Sequence, residues 1–448
     1  MLKIFNLLTF INIIILFTSC SFNNPGGFFE DETVNLEKKL LEKNSKLVFS
    51  ETKKFQEEIV GKIAKVVEKP IIVKNWTQSN LQSSNHIPHL SYENKKQLVF
   101  KSKKLGKNKF DLSNLFFEPL LLNNKIFFYD TSGNIYNFSL TENDLVWKFN
   151  FYKKRYKNIP IKIKLQIIDN SLIISDNLGY VYCLKIKSGK LKWAKNYGVP
   201  FRSNIKADNE NIFVLNQDNK FYIINKEDGN LDLNFETFPS FLKSKRETNI
   251  SLDSANNNVY FITSSGELYS VNYRTKNINW LSSLSGTKLE GSDLFYSSPI
   301  VFKDDKIIFS SSFSTYSVNS KNGQINWELP FSTYLRPIVS KNFIILSSKN
   351  GFVVNVDLKS GKVIWSKDIY GKNKKLTKEK IGEINSITFI SEQVLATTTK
   401  GFFLFIDYKD GKIINYTKAS RGGFFSNPIV VNNKIHVIDK KFRVLIFN

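Results

Sequence analysis

The sequence predicts an all-β protein, an eight-bladed β-propeller built from four-stranded antiparallel blades. A motif in which a polar turn with Gly leads into a short strand ending on Trp recurs as KSGKLKW at 187–193, KNGQINW at 321–327 and KSGKVIW at 359–365. Between the copies lie short strands and turns without a helical stretch. Repetition of one such β-unit along a chain is typical of radially repeated β-architectures.

Seven repeat units run from about residue 110 to about residue 424, each of them about 38–50 residues long. Five of them end on Trp147, Trp193, Trp280, Trp327 and Trp365. The other two carry the same turn without Trp, in EDGNLDL at 227–233 and DGKIIN at 410–415. The long interval between Trp193 and Trp280 therefore contains a degenerate copy and not a different domain.

The unit at 336–369 shows why each repeat is read as four strands. PIVSKNFIILSS forms two strands around a Lys-Asn turn, and Asn350-Gly351 is a strong hairpin signal. FVVNVDL then alternates apolar and polar residues, and a Ser360-Gly361 turn precedes the last strand, KVIWSKDI.

The tryptophans are predicted to pack between blades, because each ends the outermost strand, where a large ring can cover apolar surface toward the next blade. This packing role is expected for all six: Trp76, Trp147, Trp193, Trp280, Trp327 and Trp365. The C-terminal stretch 426–448 supplies only three strands. We expect an N-terminal strand in 70–80, which contains Trp76, to pair beside 442–447 and complete the eighth blade, so that the ring has no open edge.

The first residues predict export. Residues 1–19 combine a Lys, a short apolar run and Thr18-Ser19 before Cys20, as in a lipoprotein signal peptide. Cleavage would leave Cys20 as a lipid anchor, residues 20–69 as a tether and 70–448 as the propeller. The expected location is the periplasmic side of the outer membrane of a Gram-negative bacterium.

The net charge of +24 does not indicate a nucleic-acid partner. Nearly all basic residues are Lys, with only seven Arg in the chain, and they are scattered along the sequence. Specific recognition of bases and phosphates favours Arg forks. A uniform excess of Lys, Asn, Ile and Phe is typical of an AT-rich genome.

No residue pattern points to catalysis, a metal or a cofactor. Cys183 is the only cysteine besides Cys20 and is expected to be a small core residue. His86 and His89 resemble half a metal site, but no third ligand accompanies them. No phosphate-binding Gly-rich loop or Ser/His/Asp arrangement is present.

The units VNVDLKSGKVIW at 354–365 and YCLKIKSGKLKW at 182–193 resemble the repeat of the pyrroloquinoline-quinone (PQQ)-type eight-bladed propellers. With the lipoprotein signal, the chain from about residue 70 onward resembles the outer-membrane protein assembly factor BamB family. The stretch NWTQSNLQSSNHIPHL at 75–90 is similar to the N-terminal segment of α-proteobacterial members, which has Trp-x-Gln and two spaced His.

The resemblance implies partner-binding loops. Family members bind the β-barrel insertase through a loop of the type Leu-x-Leu-Arg-Gly-Glu-Ser, and the corresponding stretch here is LKSKRET at 242–248. Leu242 and Glu247 match, while Lys245 and Arg246 keep a basic centre and Ser244 replaces the second Leu. The next loop is acidic in the family, and here 288–299 has Glu290 and Asp293 at a different spacing.

The resemblance implies a non-catalytic scaffold that binds a BamA-like insertase and other assembly lipoproteins, as a monomer within a complex and without a cofactor. Two alternatives stay open: a periplasmic ligand- or sugar-binding propeller, and a PQQ-dependent dehydrogenase. The dehydrogenase chemistry commonly uses adjacent cysteines beside the quinone, and this chain has no Cys-Cys pair.

Overall fold

The computed structural model describes residues 58–61, 67–110, 117–153, 155–237, 247–284, 297–348, 350–371 and 376–448. These residues form eight four-stranded antiparallel sheets. The innermost strands of several adjacent sheets contact one another, so the sheets are arranged as the blades of a ring. The predicted eight-bladed β-propeller is confirmed. We call the strands of each blade a to d, from the innermost to the outermost.

Strand β1 (Leu98–Lys101) precedes the first blade in the chain and forms strand d of blade 8. The strands of blades 1 to 4, in the order a to d, are β2 (Leu120–Leu122), β3 (Lys125–Tyr129), β4 (Asn134–Ser139) and β5 (Asp144–Asn150); β6 (Ile163–Ile168), β7 (Ser171–Asp176), β8 (Tyr180–Lys185) and β9 (Leu191–Asn196); β10 (Lys206–Ala207), β11 (Asn211–Leu215), β12 (Phe221–Asn225) and β13 (Leu231–Phe235); and β14 (Ile250–Asp253), β15 (Asn258–Ile262), β16 (Glu267–Asn272) and β17 (Asn277–Ser283).

The strands of blades 5 to 8 are β18 (Val301–Lys303), β19 (Lys306–Ser310), β20 (Thr315–Asn319) and β21 (Ile325–Leu329); β22 (Ile338–Val339), β23 (Phe343–Ser347), β24 (Phe352–Asp357) and β25 (Val363–Asp368); β26 (Ile384–Ile390), β27 (Gln393–Thr398), β28 (Phe402–Asp407) and β29 (Ile413–Lys418); and β30 (Ile429–Val431), β31 (Lys434–Ile438) and β32 (Val444–Phe447) with β1. A short helix, α1 (Lys378–Ile381), precedes blade 7. Within the described ranges, no helix is both long and apolar enough to span a membrane.

Alternation of strand direction places the turns of every blade on two faces. The a–b and c–d turns lie on one face of the ring, which we call the turn face. The b–c turns and the connections from strand d to the next blade lie on the other, which we call the loop face. The hydrophobic core lies between blades instead of at one centre: one cluster joins blades 3 and 4, another joins blades 4 and 5, and a third joins blades 6 and 7.

The Trp of the repeat lies on strand d, as predicted, in blades 1, 2, 4, 5 and 6. A register shift separates the Trp-bearing pair from the pair before it, as between Asn137↔Trp147 and Phe138↔Leu145. The bulge increases the local twist of strand d and turns the indole toward the next blade. There, the indole N–H donates to a main-chain carbonyl of the next blade: Trp147 to Ile186, Trp193 to Lys226, Trp280 to Ser320, Trp327 to Leu358 and Trp365 to Tyr408.

The ring is closed by an N-terminal strand, but the strand differs from the predicted one. Strand β1 pairs antiparallel with β32, with Leu98 opposite Phe447 and Lys101 opposite Leu445. The prediction that 70–80 fills this position, with Trp76 as the Trp of blade 8, is wrong. Trp76 is fully buried and forms an antiparallel bridge to Leu121 on the innermost strand of blade 1. Its N–H and C=O are both bonded to Leu121, so it cannot pair with an outer strand.

Residues 73–93, which we call the belt, run once around the inside of the ring. The belt makes a hydrogen bond with every blade. Five blades donate to belt carbonyl groups: Asn432 N of blade 8 to Val73 O (2.8 Å), Ile167 N of blade 2 to Thr77 O (2.7 Å), Lys206 Nζ of blade 3 to Ser79 O (2.9 Å), Leu252 N of blade 4 to Ser83 O (3.0 Å) and Phe302 N of blade 5 to Ser84 O (3.0 Å). The belt donates to the other three blades: Trp76 N to Leu121 O of blade 1 (2.7 Å), His86 Nε2 to Val339 O of blade 6 (2.9 Å) and Leu90 N to Phe389 O of blade 7 (3.0 Å). The belt therefore provides hydrogen-bond partners for polar groups along the inner edges of the blades. In an open channel, water would have to bind these groups.

Residues 58–61 lie along the outer edge of blade 6. Ser366 N donates to Ile59 O (3.0 Å), and Ile59 N donates to Ser366 Oγ (2.8 Å). An ion pair of Glu58 and Lys367 (3.2 Å) flanks this pairing. These residues precede the boundary at residue 70 that the sequence predicts for the propeller, and they add a short extended segment to strand β25.

Candidate interaction site

The two loops implied by the family resemblance are neighbouring connections on the loop face. One joins β13 of blade 3 to β14 of blade 4, and the other joins β17 of blade 4 to β18 of blade 5. Most of the predicted contact residues, Leu242, Lys245, Arg246, Glu290 and Asp293, lie outside the described residues. Glu247 is the predicted contact residue that the structure describes.

Glu247 stands at the foot of its loop, next to the innermost strands. Its carboxylate pairs with Lys164 Nζ of blade 2 (2.5 Å), and more than half of the side chain is exposed. The following residue is fixed: Thr248 N donates to Arg202 O (3.1 Å), and Thr248 forms a parallel bridge to Ser203. Glu247 and Thr248 therefore lie against blades 2 and 3, close to the innermost strands.

Charged side chains at the centre of the ring are directed to the belt. Glu118, just before β2, accepts from Trp76 Nε1 (2.6 Å) and from Asn80 N (2.8 Å). Burial raises the pKa of Glu118, while these hydrogen bonds and the nearby Arg336 and Lys206 oppose the shift. The carboxylate thus connects two points of the belt to blade 1.

Two cations lie on or just before other innermost strands, Lys206 on β10 and Arg336 two residues before β22. Lys206 is fully buried, and its Nζ donates to Ser79 O (2.9 Å) and Gln82 O (2.8 Å) of the belt. Burial lowers the pKa of Lys206 to about 7, against the opposing effect of Glu118. Arg336 donates to Pro337 O (3.1 Å) and Ile387 O (3.3 Å), and burial lowers its pKa to about 10. These contacts hold backbone in place, and sequence reasoning did not identify any of the three charged residues.

The two belt histidines also bind backbone. His86 Nε2 donates to Val339 O, and burial lowers the pKa of His86 to about 4. His89 Nδ1 donates to Glu68 O (2.7 Å), and its Nε2 accepts from Glu392 N (2.8 Å). Both nitrogens of His89 are therefore used by the main chain, which leaves no lone pair on that ring for a metal.

The remaining candidate residues have structural surroundings. Cys183 is buried in strand β8, and burial raises the pKa of its thiol, as expected of a core cysteine. Among the described residues, no cluster of three or more His, Cys, Asp or Glu side chains could hold a metal ion. Cys20 lies outside the described residues.

The outer edges of the blades are a second candidate surface. Apolar side chains are exposed on several strands d, including Leu145, Leu191, Leu231, Ile278 and Ile325. On blade 6, the pairing of residues 58–61 with Ser366 covers the corresponding part of strand d. Blade 6 therefore shows in this molecule that an extended segment fits against the outer edge of a blade.

Sequence comparisons place these features in a known family. The family model of the outer membrane protein assembly factor BamB matches residues 131–367 and 350–448. The BamB of Shewanella oneidensis is 24% identical over 139 residues, which cover 31% of this chain and 33% of that protein. The BamB of Moranella endobia is 21% identical over 266 residues, which cover 56% of this chain and 66% of that protein. The chain thus spans between a third and two thirds of the length of these relatives.

Solved structures show the same fold. BamB from Moraxella catarrhalis superimposes with a TM-score of 0.61 at 14% identity, covering 79% of this chain and 99% of that one. A quinohemoprotein alcohol dehydrogenase from Comamonas testosteroni has a TM-score of 0.62 at 8% identity, covering 83% of this chain and 80% of that one. At these identities the likeness to either structure shows the fold alone. The family match extends over more than half of the sequence, and the chain belongs to the outer membrane protein assembly factor BamB family.

Proposed function

We propose that this protein is a non-catalytic scaffold in the assembly of outer-membrane β-barrel proteins. It is held through a lipid on Cys20 at the periplasmic side of the outer membrane, and it binds the β-barrel insertase there together with other assembly lipoproteins. The single observation that carries the proposal is the family match over residues 131–448, which includes most of the ring.

The insertase contact is assigned to the loops at 242–248 and 288–299. The support for this is their position, because two consecutive connections on one face form a single neighbouring pair at blades 3, 4 and 5. Leu242 would supply the apolar contact, and Lys245 and Arg246 the basic one. Glu290 and Asp293 would supply acidic contacts beside them. A centre of apolar and Arg contacts within charged surroundings is typical of protein interfaces.

The exposed outer edges support a role beside extended chains. A strand edge with free N–H and C=O groups and exposed apolar side chains can accept an added strand. Ile59 on blade 6 resembles such an addition, with one backbone hydrogen bond from Ser366 N and one to the Ser366 hydroxyl. A scaffold with such edges is suited to hold partner domains, or unfolded barrel strands before their insertion.

The polar centre of the ring favours a scaffold over a ligand-binding propeller. The belt contacts all eight blades, and Glu118, Lys206 and His86 are directed to it. Side chains that would otherwise face a central channel are therefore committed to the chain's own backbone. The dehydrogenase shares the fold, whereas the sequence relatives described above are assembly factors.

The test is co-purification from detergent-solubilised membranes of the native cell, followed by mass spectrometry. We expect the insertase and its lipoprotein partners to accompany the full chain, and the double variant L242A/R246A to lose at least tenfold of the bound insertase. The matched control is I72A/R274A, which removes an exposed Ile and an exposed Arg away from both candidate surfaces. Unaltered co-purification by L242A/R246A would contradict the loop assignment. Absence of the insertase from the wild-type sample would contradict the scaffold itself.

A further inference from the structure

The fold gathers lysines that are scattered in the sequence onto one part of the loop face. Four segments contribute: the connection from blade 8 to blade 1 at 102–110, the connection from blade 1 to blade 2 around 151–162, and the loops of blades 7 and 8 at 419–428 and 439–443. Their exposed cations are Lys103, which pairs with Asp144, and Lys104, Lys107, Lys109, Lys153, Arg155, Lys157, Lys162, Arg421 and Lys441. We call this set the basic surface.

Hydrogen bonds join these loops into one continuous layer. Lys440 N donates to Gly423 O (3.1 Å), which connects the two loops of blades 7 and 8. Leu105 N donates to Phe442 O (3.0 Å), which links blade 8 to the connection that leads into blade 1. Lys109 Nζ donates to Lys157 O (2.5 Å), which links that connection to the next one. The basic surface therefore extends without a break from blade 7 to blade 2.

The acidic residues of these loops and of the adjoining b–c turns of blades 1 and 2 are withdrawn from the surface. Asp130, Asp176 and Asp439 are all buried. Each of them accepts hydrogen bonds from the backbone of its own b–c turn, as Asp130 does from Ser132 N (3.0 Å) and Asp176 from Leu178 N (2.8 Å). None of the exposed residues that the structure describes in these loops is Asp or Glu. The outward charge is therefore of one sign.

The basic surface has definite limits on both sides. At blade 7, Glu379 lies on α1 and Glu383 pairs with Lys378 (2.9 Å). At blade 2, Glu247 pairs with Lys164. Carboxylates thus return at both ends, which shows that the concentration of positive charge is local and not a uniform property of the loop face.

Apolar groups stand among the cations. Ile159 is 40% exposed beside Pro160 at the tip of the connection from blade 1 to blade 2. Arg155 lies over the ring of Tyr156, with its Cζ 5.7 Å from the ring centroid. An open depression of about 670 Å³, lined by residues 104–109 and Ser132, adjoins this loop. Cations around an exposed aliphatic tip are typical of surfaces that rest on a lipid bilayer.

We propose that the basic surface docks on an anionic phospholipid bilayer, with the tip at Ile159 entering the headgroup layer. Charge complementarity supports this occupant. The lysines are spread over four blades, and each acts as a point charge that can approach one phosphate of a broad array. A single carboxylate site would instead favour Arg, whose planar guanidinium matches a carboxylate. The docking would fix which side of the ring faces the membrane, and it does not depend on the insertase loops.

The experiment uses the mature chain, from residue 20 onward and carrying Cys20→Ser, so that neither a lipid nor the apolar signal peptide contributes, and measures co-sedimentation with vesicles. The vesicles are either phosphatidylcholine alone or phosphatidylcholine with about a third phosphatidylglycerol. We expect tighter binding to the anionic vesicles, lost in high salt because exposed charges are then screened. The triple variant K107E/K157E/K441E should reduce the anionic-vesicle affinity at least about 100-fold, since each lysine near such a surface contributes about a factor of five and the new carboxylates add repulsion.

The matched control is K187E/K359E/K409E, which makes the same change in net charge on three exposed c–d turns of the turn face. It should change the affinity less than threefold. Equal losses in both triple variants would show that only net charge matters and would overturn the proposal. So would binding that does not depend on phosphatidylglycerol. A photo-crosslinker at residue 159 that labels an acidic protein in cells, without affinity of the protein for anionic vesicles, would assign the surface to a protein partner instead.

Insertase co-purification of K107E/K157E/K441E separates this inference from the proposed function. Retained insertase with lost vesicle binding supports lipid docking. Retained vesicle binding overturns the lipid assignment, whatever the insertase result.

Discussion

The indole of Trp193 in blade 2 lies directly over Gly229 in blade 3. A Cβ atom at Gly229 would stand 2.5 Å from Cε3 of Trp193, a distance that no side chain can occupy. The same contact recurs between Trp147 and Gly189, Trp280 and Gly323, Trp327 and Gly361, and Trp365 and Gly411. Both ends of the repeated motif are therefore explained by one interface: its Trp covers the next blade, and its Gly receives the Trp of the blade before.

The first prediction concerns this interface. Gly229→Ala should destabilise the protein by about 2–4 kcal/mol, because Ala is strained at the positive φ of 70° and its methyl group collides with Trp193. The control is Gly198→Ala, which has a φ of 80° and no atom within 4 Å of the added methyl group. It should cost only about 1 kcal/mol. Chemical denaturation of both variants measures the difference, and equal losses would contradict a role for Trp193.

The second prediction concerns the belt. Asn85 is fully buried, and its Nδ2 donates to Ile250 O (2.9 Å) in blade 4 and Ile300 O (2.8 Å) before blade 5. Asn85→Ala should cost about 2–4 kcal/mol, because it removes these hydrogen bonds from a buried site. Asn94→Ala is the control, since Asn94 is exposed and has a similar φ of 63° against 57°. A shift in denaturation midpoint for Asn94→Ala as large as that for Asn85→Ala would show that backbone strain, and not the belt contact, is responsible.

The third prediction concerns acid. Burial lowers the pKa of His436 to about 4, below the ordinary value of 6.5 that it regains on unfolding. The unfolded chain therefore takes up the proton first, and the free energy of unfolding should fall as the pH drops from about 6.5 to about 4. The contribution is on the order of 3 kcal/mol. His436→Gln should be less stable at pH 7 but lose less stability over this range. An unchanged slope in a pH series of thermal melts would contradict the assignment.

The fourth prediction concerns residues 58–61. A Cβ atom at Gly61 would meet Ile364 O at 2.0 Å, so Gly61→Ala should displace this segment from blade 6. The amide of Ser366, which donates to Ile59 O, should then exchange with solvent at least tenfold faster in a hydrogen–deuterium exchange experiment. Gly422→Ala is the control, since its nearest contact would be 3.8 Å away. Unchanged protection of Ser366 in Gly61→Ala would show that another contact holds the segment.

The architecture could be predicted from the sequence because each blade repeats the same local signals. The degenerate units fit the same physical scheme. Blade 3 has Leu233 in place of Trp, and the following blade has Lys276 in place of the turn Gly, since no indole has to be received there. A Gly at this turn therefore indicates that the preceding blade has a Trp on its strand d.

This relation also explains why Trp76 was misplaced. The sequence counts it with the other tryptophans, yet no Gly turn precedes it in IIVKNW. The c–d turn of blade 1 has Asn143 where a Trp on blade 8 would require Gly. The belt itself has no periodic pattern, because each of its residues meets a different blade, so its path depends on contacts that local sequence does not encode.

The basic surface could not be predicted for a related reason. Lys107, Lys157 and Lys441 are far apart in the chain, and only the closure of the ring brings their loops together. In the sequence the lysines are scattered among acidic residues. In the folded protein Asp130, Asp176 and Asp439 are buried, so they do not offset the positive charge of the surface. The sign of a surface depends on which carboxylates are used internally, and this is known only after folding.

The closure of the ring by β1 and β32 imposes an order of events on biosynthesis. Leu98 leaves the ribosome about 350 residues before Phe447, yet the two residues are partners in one sheet. The belt, also made early, has partners in all eight blades. Neither can be completed until blade 8 has been synthesised, so contacts of very long sequence separation should make folding slow. Late closure is compatible with the proposed periplasmic location, because export through a narrow channel requires a polypeptide that has not yet folded.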